Sequence, residues 1–400
     1  MVSRRDVIVG SLTIAAAAGV SSAVLAESTV GSNTPAENSA SGKYNAGNEE
    51  KKLDIINIYD LEEEARRIVP KPQFGYISSG SGDEWTLREN IRAFDDHQII
   101  PMYLAGVKEP DTSTVLLGTK VTTPIFIPPM AAHGLAHRRG ELDTSKGASD
   151  AGALFTAQTL ANNSLDEIGK AGQGPKWFQL YFTKDMGVNR ELIRRAKSMG
   201  ATAIVFTVDL EWAGNREADK RNGFVFPSSL PFPNVPNAPA GATLAELFTI
   251  FKRDLDFKDL EFIAKESGLP VVVKGIQSPE NAKQCLDHGA AAIQVSNHGG
   301  RQLDTVPAAI TSLPSIVKVV NKQVPVYLDG GIRRGVHVFK ALALGADGVA
   351  VGRPILYGLA LGGAQGVTSV INKLNDELRL AMKLAGCATI KDISEKYVSQ

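Results

Sequence analysis

The nine residues from Ser296 to Asp304 carry the clearest chemistry in this sequence. They read SNHGGRQLD, a run of mostly polar and glycine positions that would serve no purpose in a packed core. His298 can act as a base near neutral pH, and Arg301, three residues further on, can bind a carboxylate through two parallel hydrogen bonds. The two glycines between them let the backbone turn sharply and approach a ligand. The run therefore predicts acid–base chemistry on an anionic substrate.

Two glycine-rich loops near the end of the chain indicate a phosphate site. Residues 330–335 read GGIRRG and residues 351–353 read VGR, and each loop follows a short apolar segment. Backbone N–H groups of such loops bind phosphate in α/β barrels, and arginine balances the charge. Tight turns alone would also explain the glycines, but the two loops together favour a phosphorylated cofactor or substrate.

Eight short apolar segments are predicted to be the strands that position these residues. They span residues 124–130, 153–157, 177–181, 203–208, 270–274, 291–296, 325–330 and 347–351. Segments of helical periodicity, such as 188–199 and 279–288, lie between most of them, which predicts an α/β protein with a (β/α)8 TIM barrel. A doubly wound open sheet is the alternative, but the first strand is not followed by a G-x-G-x-x-G turn.

Polar residues follow most of these strands. Because the carboxyl ends of barrel strands open at one face, their side chains are expected to meet there. Besides His298, the candidates are Gln179, Tyr181, Thr207, Asp209, Lys274, Ser296 and Asp329. The loop after the fourth strand is too long for a simple connection, and its Pro-rich insertion, residues 211–257, is predicted to form a lid over that face.

Composition excludes several other classes of protein. Lysine plus arginine and aspartate plus glutamate both number 43, so the formal net charge is zero and no general field attracts nucleic acid. Only two cysteines occur, Cys285 and Cys387, which excludes a disulfide-rich scaffold and a thiolate zinc cluster. His133 and His137 have an i, i+4 spacing but lack a third ligand, so no metal site is predicted.

The first 26 residues are predicted to be a twin-arginine export signal. Arg4 and Arg5 precede an uncharged stretch rich in alanine, glycine and serine, and cleavage is expected after Ala26. A retained membrane anchor is the alternative, although the stretch is poor in large apolar residues. We therefore expect a periplasmic or otherwise exported protein, in contact with a membrane only if the signal stays uncleaved.

The rest of the chain divides into three predicted parts. Residues 27–52 contain almost nothing to bury and are predicted to be a flexible linker. Residues 53–123 are predicted to form an N-terminal helical segment, with Asp60 as the N-cap of its first helix and a second helix around 84–93. The barrel, with its lid, is expected to occupy residues 124–400.

Several of these segments together resemble the family of FMN-dependent 2-hydroxy-acid oxidases and dehydrogenases. The resemblance covers about residues 53–395 and is carried by SNHGGRQLD, Lys274, GNREADKRNGF at 214–224 and the two phosphate loops. YISSGSGDEWTLREN at 76–90 and WFQLYF at 177–182 are most similar to its lactate-oxidising bacterial members. The resemblance implies FMN-dependent oxidation of a small, lactate-like L-2-hydroxy acid to the 2-keto acid, with oxygen reduced to hydrogen peroxide.

The resemblance also implies roles in catalysis. His298 would take the hydroxyl proton while a hydride equivalent passes to the flavin, and Asp209 would stabilise the imidazolium that forms. Arg301 would hold the substrate carboxylate together with Arg216 from the lid. Tyrosine hydroxyls would donate hydrogen bonds to the carboxylate and hydroxyl of the substrate. These tyrosines are Tyr76 and Tyr181.

The family pattern places FMN across the strand ends. Lys274 would stand beside N1 and C2=O of the flavin ring, where its charge favours the anionic reduced flavin. The 5′-phosphate would lie on Gly331, Arg333, Gly352 and Arg353. The other cofactor-binding positions are Pro129, Met130, Ala131, Gln158, Gln179, Thr207, Ser296, Asp329 and Gly330.

Two positions depart from the family pattern. Leu160 stands where the family usually carries an aromatic side chain that donates a hydrogen bond, so we expect a substrate more apolar or bulkier than lactate. Gln158 replaces a small hydroxyl residue expected beside the flavin. Ala131 matches the oxidase-like members, but the sequence does not display access for oxygen.

Three other functions remain open at this point. A dehydrogenase of the same family would pass electrons to a quinone or cytochrome instead of oxygen. A flavin-binding protein without activity would keep the barrel but not need His298, and a barrel isomerase or aldolase would require a Schiff base on Lys274. The resemblance further implies a homotetramer.

Overall fold

The computed structural model describes residues 44–399 and confirms the predicted (β/α)8 barrel. Its strands are β1 (Thr114–Leu116), β2 (Thr119–Val121), β3 (Ile125–Phe126), β4 (Phe155–Gln158), β5 (Lys176–Leu180), β6 (Ala201–Thr207), β7 (Val271–Ile276), β8 (Ala292–Val295), β9 (Val326–Asp329) and β10 (Gly348–Ala350). The last eight form one parallel sheet in the order β3-β10-β9-β8-β7-β6-β5-β4. A parallel bridge between Ile127 and Phe155 joins β3 to β4, so the sheet closes on itself.

Helices alternate with the strands, and α6 and α10 confirm the two helices predicted around 188–199 and 279–288. The helices are α1 (Asp60–Ile68), α2 (Lys71–Ser78), α3 (Trp85–Arg92), α4 (Glu141–Asp150), α5 (Leu165–Ala171), α6 (Met186–Met199), α7 (Glu217–Arg221), α8 (Leu244–Phe248), α9 (Phe257–Ser267), α10 (Pro279–Asp287), α11 (Ala309–Val320), α12 (Gly335–Ala343) and α13 (Arg353–Ala385). The crossovers are the connections that parallel neighbouring strands require.

The alternation of side chains along the strands decides which residues face the inside of the barrel. Phe126, Trp177 and Tyr327 pack against one another in an interior cluster separate from the main core. Residues two apart on a strand point to the same side. Gln179 and Asp329, two positions after Trp177 and Tyr327, therefore face the same interior nearer the carboxyl ends. A packed aromatic layer fills the lower barrel, and polar residues occupy its mouth.

The insertion between β6 and α9 lies over this mouth, where the sequence predicted a lid over residues 211–257. Its Arg216 and Leu244 line the same cavity as Tyr76 from the N-terminal segment. Phe226, also from the insertion, is buried and its ring meets Tyr76 edge-on, with centroids 5.2 Å apart. The insertion is thus packed onto the barrel by its own apolar side chains.

The N-terminal segment contains α1 to α3 and also the antiparallel β1–β2 hairpin, which was not predicted. Leu116 and Val121 from the hairpin join the interior cluster, and Leu116 lies against Gly348 at the amino end of β10. The hairpin therefore closes the barrel opposite its mouth. The prediction of Asp60 as an N-cap is wrong, because Asp60 is the first residue of α1 and Tyr59, which precedes it, makes no side-chain capping bond.

The prediction of a flexible linker over 27–52 is wrong for residues 44–52, which lie against the barrel. The carboxylate of Glu50 accepts hydrogen bonds from the backbone N–H groups of Ala364 and Gln365, each at 3.0 Å. Polar and backbone contacts of this kind hold the segment, and a composition poor in apolar residues does not reveal them. The remainder of the linker and the export signal lie outside the described residues.

One helix of the described chain, α13, is long and apolar enough to cross a membrane. However, 89% of its apolar window is buried inside the fold. The helix also kinks at Gly362 and Gly363, whose backbone dihedral angles are not helical. We conclude that α13 is a core helix that packs along the barrel.

Candidate active site

A single cavity of about 980 Å³, open mouth included, lies between the carboxyl ends of the strands and the insertion. Most of the predicted site residues line it. These are Tyr76, Pro129, Met130, Ala131, Leu160, Tyr181, Arg216, Lys274, His298, Arg301, Asp329, Gly330, Gly331, Arg333, Gly352 and Arg353. Cavities at the carboxyl ends of barrel strands are where such folds bind cofactors and small molecules.

Four residues predicted to border the flavin do not line this cavity. Gln158, Gln179 and Thr207 end strands β4, β5 and β6 on the inward-facing side, and all three are buried. Ser296 follows β8 and its hydroxyl is already held by Asp329, at 2.7 Å. These side chains lie within the upper barrel, below the surface that the cavity exposes.

His298 and Asp209 form a hydrogen-bonded pair at the cavity. Nδ1 of His298 lies 2.9 Å from Oδ1 of Asp209, which leaves Nε2 as the free nitrogen of the ring. The backbone N–H of His298 donates to the hydroxyl of Ser296 at 3.0 Å, and its φ of 58° lies in the left-handed region that a non-glycine residue rarely adopts. The turn that the neighbouring glycines permit thus fixes the direction of the imidazole.

The charges around this pair set its protonation. Burial lowers the pKa of His298 below its ordinary value, the charge of Asp209 opposes this, and Lys274 and Arg216 lower it further. Burial alone would raise the pKa of Asp209, but its interactions with His298 and Lys274 outweigh this and lower that pKa. The arrangement is therefore a neutral imidazole held by an ionised carboxylate, as a general base requires.

Two arginines, Arg301 and Arg216, face the same cavity. Arg301 donates to the carbonyl of Ser79 at 2.8 Å, and its guanidinium lies 5.0 Å from the ring centroid of Tyr76. Arg216 is 5% exposed and donates to the carbonyl of Arg301 at 3.3 Å. Burial, and then the charge of Arg216, lower the pKa of Arg301 to about 9. Two cations this close together, with no salt bridge to either among the described residues, indicate an anion-binding site.

A carboxylate that the sequence analysis missed, Asp219 of α7, faces these arginines. Its Oδ1 is buried and lacks a hydrogen-bond partner among the described residues. Burial raises the pKa of Asp219, while the charges of Arg301 and Arg216 oppose the rise. Only the packing of the insertion brings this residue to the site, and the spacing of residues along the chain gave no sign of it.

Tyr76 and Tyr181 enter the cavity from opposite elements. The ring of Tyr76 stacks on Phe224 of the insertion with centroids 4.6 Å apart. The ring of Tyr181, at the end of β5, packs against Phe251 at 5.3 Å. Burial raises the pKa of Tyr181, so its hydroxyl stays protonated and can donate a hydrogen bond.

Lys274 belongs to a polar network at the ends of β7, β8 and β9. Its Nζ donates to the Ser296 hydroxyl at 3.0 Å and lies 3.6 Å from Oδ2 of Asp329. Asp329 also accepts a hydrogen bond from Gln294 at 2.6 Å. The network anchors the ammonium while leaving it on the wall of the cavity.

The two glycine-rich loops meet at one end of the cavity. A Cβ at Gly331, where φ is 79°, would collide with the backbone carbonyl of Asn90, so the position requires glycine. Arg333 is buried, and no carboxylate lies within salt-bridge distance of it in the described part of the chain. Its guanidinium donates to the adjacent carbonyl of Ile332 at 3.0 Å.

Arg353 also lines the cavity, but its guanidinium is more engaged than the sequence analysis predicted. It donates to the backbone carbonyls of Ile77, Gly299 and Ser79 at 2.8–3.2 Å. Burial lowers its pKa to about 10. Arg353 therefore ties the N-terminal segment to the catalytic loop, and its contact with a phosphate stays a prediction.

The residues of the upper barrel fit a flavin. Several buried atoms there lack hydrogen-bond partners among the described residues, including Oε1 of Gln158, Nε2 of Gln179 and Oγ1 of Thr207. A buried polar atom without a partner costs about 1–3 kcal/mol, so their clustering at one end of the barrel indicates a polar ligand. An isoalloxazine ring carries both donors and acceptors, and Lys274 and Arg333 supply the positive charge that FMN requires.

Comparison with known proteins agrees with this geometry. The family model described as FMN-dependent dehydrogenase matches residues 65–400. The L-lactate oxidase of Streptococcus iniae is 47% identical over 359 residues, 89% of each chain, and the 2-hydroxyacid oxidase of Dictyostelium discoideum is 43% identical over 86% of this chain and 90% of its own. The chain belongs to the FMN-dependent dehydrogenase family, and FMN is its cofactor.

Solved structures place the fold in the same family. A lactate oxidase of Pediococcus acidilactici superposes with a TM-score of 0.84 at 46% identity, covering 88% of this chain and 96% of that one. A mandelate oxidase, solved as a variant with (S)-mandelic acid, superposes with a TM-score of 0.80 at 38% identity, covering 86% and 98%.

Proposed function

We propose that the protein oxidises small L-2-hydroxy acids to 2-keto acids and passes the electrons to oxygen, which gives hydrogen peroxide. The observation that carries this proposal is the His298–Asp209 pair in one cavity with two arginines and Lys274. The names of the relatives, L-lactate oxidase and 2-hydroxyacid oxidase, support the substrate class and the acceptor. FMN, when bound, supplies the acceptor for the hydride equivalent.

His298 is the base of this reaction. Its Nδ1–H donates to Asp209, so Nε2 is free to take the proton of the substrate hydroxyl. Asp209 stabilises the imidazolium that results, as in other histidine–carboxylate pairs. Lys274, at the end of β7, would hold the flavin and stabilise negative charge on its reduced form.

Arg301 and Arg216 bind the substrate carboxylate. The two guanidinium groups, which form no salt bridge in the described part of the chain, supply enough charge and enough donors to hold the carboxylate in one orientation. The hydroxyls of Tyr76 and Tyr181 add hydrogen bonds to the carboxylate and the substrate hydroxyl. Together these contacts would turn the α-carbon hydrogen towards the flavin.

The apolar side of the cavity favours a substrate with an apolar side chain larger than a methyl group. Leu160 is buried at the end of β4 and offers no hydrogen bond, and Leu210 and Leu244 line the same cavity. Each additional buried CH₂ group stabilises a bound ligand by about 0.8 kcal/mol. The structural neighbour that binds (S)-mandelic acid has the same fold around a bulky 2-hydroxy acid.

The decisive experiment follows flavin bleaching without oxygen. L-Lactate, L-2-hydroxyisocaproate and (S)-mandelate are each mixed with the yellow holoenzyme, and we expect reduction by all three, faster with the larger side chains. Leu160→Tyr should reverse this order in favour of lactate. A flavin-loaded protein that no 2-hydroxy acid reduces would refute the proposed function.

The electron acceptor requires a separate test. A dehydrogenase that passes electrons to a quinone or cytochrome is the second candidate, because the fold and the reducing half of the reaction would be the same. We expect comparable turnover in air-saturated buffer and with an artificial acceptor. A rate in air that is far lower than with the artificial acceptor would favour the dehydrogenase.

We also propose export by the twin-arginine route and assembly into a homotetramer. The first proposal rests on Arg4, Arg5 and the uncharged stretch that follows them. Replacing both arginines by lysine should leave the protein in the cytoplasm, which fractionation of the producing cell would detect. Equal periplasmic yield of the two forms would contradict this route.

A further inference from the structure

Glu141, the first residue of α4, is a fully buried carboxylate that the proposed reaction does not use. Its Oε1 accepts hydrogen bonds from the backbone N–H of His133 at 2.9 Å and from Nε2 of Gln158 at 2.8 Å. Its Oε2 accepts from the backbone N–H of Asn162 at 3.1 Å. Three donors, from two loops and from the last residue of β4, thus converge on one carboxylate.

The two loops form one wall of the cavity. His133 follows Met130 and Ala131 in the loop after β3, and Asn162 follows Leu160 in the loop after β4; Met130, Ala131 and Leu160 all line the cavity. A further hydrogen bond, from Ala132 N–H to the carbonyl of Leu160 at 2.9 Å, joins the loops directly. Glu141 therefore fixes the backbone behind both the predicted flavin contact and the apolar substrate wall.

The third partner of Glu141 is the amide of Gln158. An ionised carboxylate only accepts hydrogen bonds, so the amide must turn its NH₂ group towards Glu141. Oε1 of Gln158 then points away from Glu141, and it is buried without a hydrogen-bond partner in the described part of the chain. Gln158 stands four residues after Leu154 of the interior cluster, so its side chain belongs to the inward-facing side of β4.

We propose that Glu141 is a positioning residue for FMN, which ties the loops after β3 and β4 together and orients Gln158 so that Oε1 accepts a hydrogen bond from an N–H group of the flavin ring. The ring offers N3–H in both redox states and N5–H in the reduced state only. The inference requires bound flavin but does not depend on which hydroxy acid or acceptor the enzyme uses.

The test measures FMN binding and the flavin spectrum, with no substrate present. Glu141→Gln and Gln158→Met are purified, stripped of FMN and titrated with it at about pH 8.5, above the pKa of about 7 that burial gives Glu141. Each variant should raise the dissociation constant of FMN about fivefold, the equivalent of one hydrogen bond, and displace the flavin absorption maximum in the same direction. The midpoint potential, measured on the same samples, reports whether the acceptor meets N3–H or N5–H.

The double variant separates action through Gln158 from independent effects. If Glu141 orients Gln158, the dissociation constant of FMN should be nearly the same in the double variant as in Gln158→Met. Ser145→Ala is the matched control, because the hydroxyl of Ser145 on the same helix donates to the carbonyl of Ile168 and is buried away from the cavity. It should lower thermal stability and leave the spectrum unchanged.

Two results would overturn the inference. An unchanged FMN affinity and spectrum in Gln158→Met would mean that Oε1 does not meet the flavin. Effects that multiply in the double variant would mean that Glu141 does not act through Gln158. Should Glu141→Gln fail to fold, Glu141→Asp takes its place, because it keeps the carboxylate on a side chain shorter by one methylene. The same comparison with Gln158→Met then applies.

Discussion

The base strength of His298 depends on a balance between one carboxylate and several cations. Lys274 and Arg216 lower its pKa, as burial does, whereas Asp209 raises it. The imidazole is therefore neutral when the substrate arrives, and Asp209 is the contact that stabilises it once it is protonated. Removing the charge of Asp209 should therefore lower the pKa of the free imidazole. It should also destabilise the imidazolium that forms during the reaction.

Asp209→Asn should move the acidic limb of the kcat/KM profile to lower pH and also slow flavin reduction. The limb reports the pKa of the free base, which burial already places below 6.5, and removal of the Asp209 charge lowers it further. The rate at high pH should fall by about 10²–10⁴, because the imidazolium loses its partner. Anaerobic stopped-flow reduction over a range of pH checks both effects. A limb that moves to higher pH would contradict the assigned interaction.

Arg301→Lys should weaken carboxylate binding by at least about tenfold, because an ammonium cannot make the two parallel hydrogen bonds of a guanidinium. The substitution keeps the charge, so a purely electrostatic role would leave binding nearly unchanged. Titration of the oxidised enzyme with oxamate, followed by the flavin spectrum, gives the dissociation constant. Arg194→Lys, on the exposed face of α6 and paired with Glu191, is the control and should behave as the unaltered protein.

At the scale of elements, the barrel strands were predictable because each is a short, largely buried run, and several are rich in β-branched residues. Strand β7, Val271–Ile276, is an example in which almost every residue is buried. The catalytic loop was predictable because His298 and Arg301 lie close in sequence. The roles of Asp219 and Glu141 were not predictable from the sequence. Each reaches the site through contacts with segments distant in the chain, and no local sequence pattern marks such a contact. Composition led to the prediction of a flexible linker at residues 44–52 for a related reason. The carboxylate of Glu50 holds that segment against α13, and composition does not reveal such a contact.

Glu50→Ala should lower the free energy of unfolding by about 0.5–1 kcal/mol, the usual cost of losing a helix cap. Glu50 accepts from the first free N–H groups after the kink in α13, where the second half of that helix begins. Thermal unfolding of the holoenzyme, with FMN affinity as a second readout, tests this. Glu49→Ala is the control, because Glu49 is an exposed neighbour with no side-chain hydrogen bond among those described. Equal stability of Glu50→Ala and the unaltered protein would mean that the segment does not support α13.

At the scale of the whole molecule, the formal net charge of zero conceals a local excess of positive charge. Four arginines line the cavity, and burial lowers the pKa of two of them, Arg301 and Arg353. Such charges act over short distances, because salt screens surface fields beyond about 10 Å. The enzyme therefore recognises anions within its mouth and has no field that gathers them from afar.

A loop near the end of α13 exposes large apolar side chains that a monomer would leave in water. Tyr103 and Leu104 are 79% and 105% exposed, and Leu104 adopts a φ of 62°. A hydrogen bond from Met102 N–H to the carbonyl of Ala385 holds their loop beside the end of α13, where Leu384 is also exposed. Exposed apolar side chains of this kind mark interfaces, so we propose that this loop and the end of α13 form a contact between subunits of the proposed homotetramer.

Leu104→Glu combined with Leu384→Glu should therefore lower the mass of the particle measured by light scattering, from four subunits to two or one. Burying unpaired carboxylates in an interface costs several kcal/mol, which is enough to dissociate it at micromolar concentration. Val115→Glu, at an exposed apolar position on the β1–β2 hairpin, should leave the mass unchanged. Because the residues that would hold FMN line the cavity of one chain, the dissociated form should keep its flavin. A tetramer that survives both substitutions would place its interface elsewhere on the barrel.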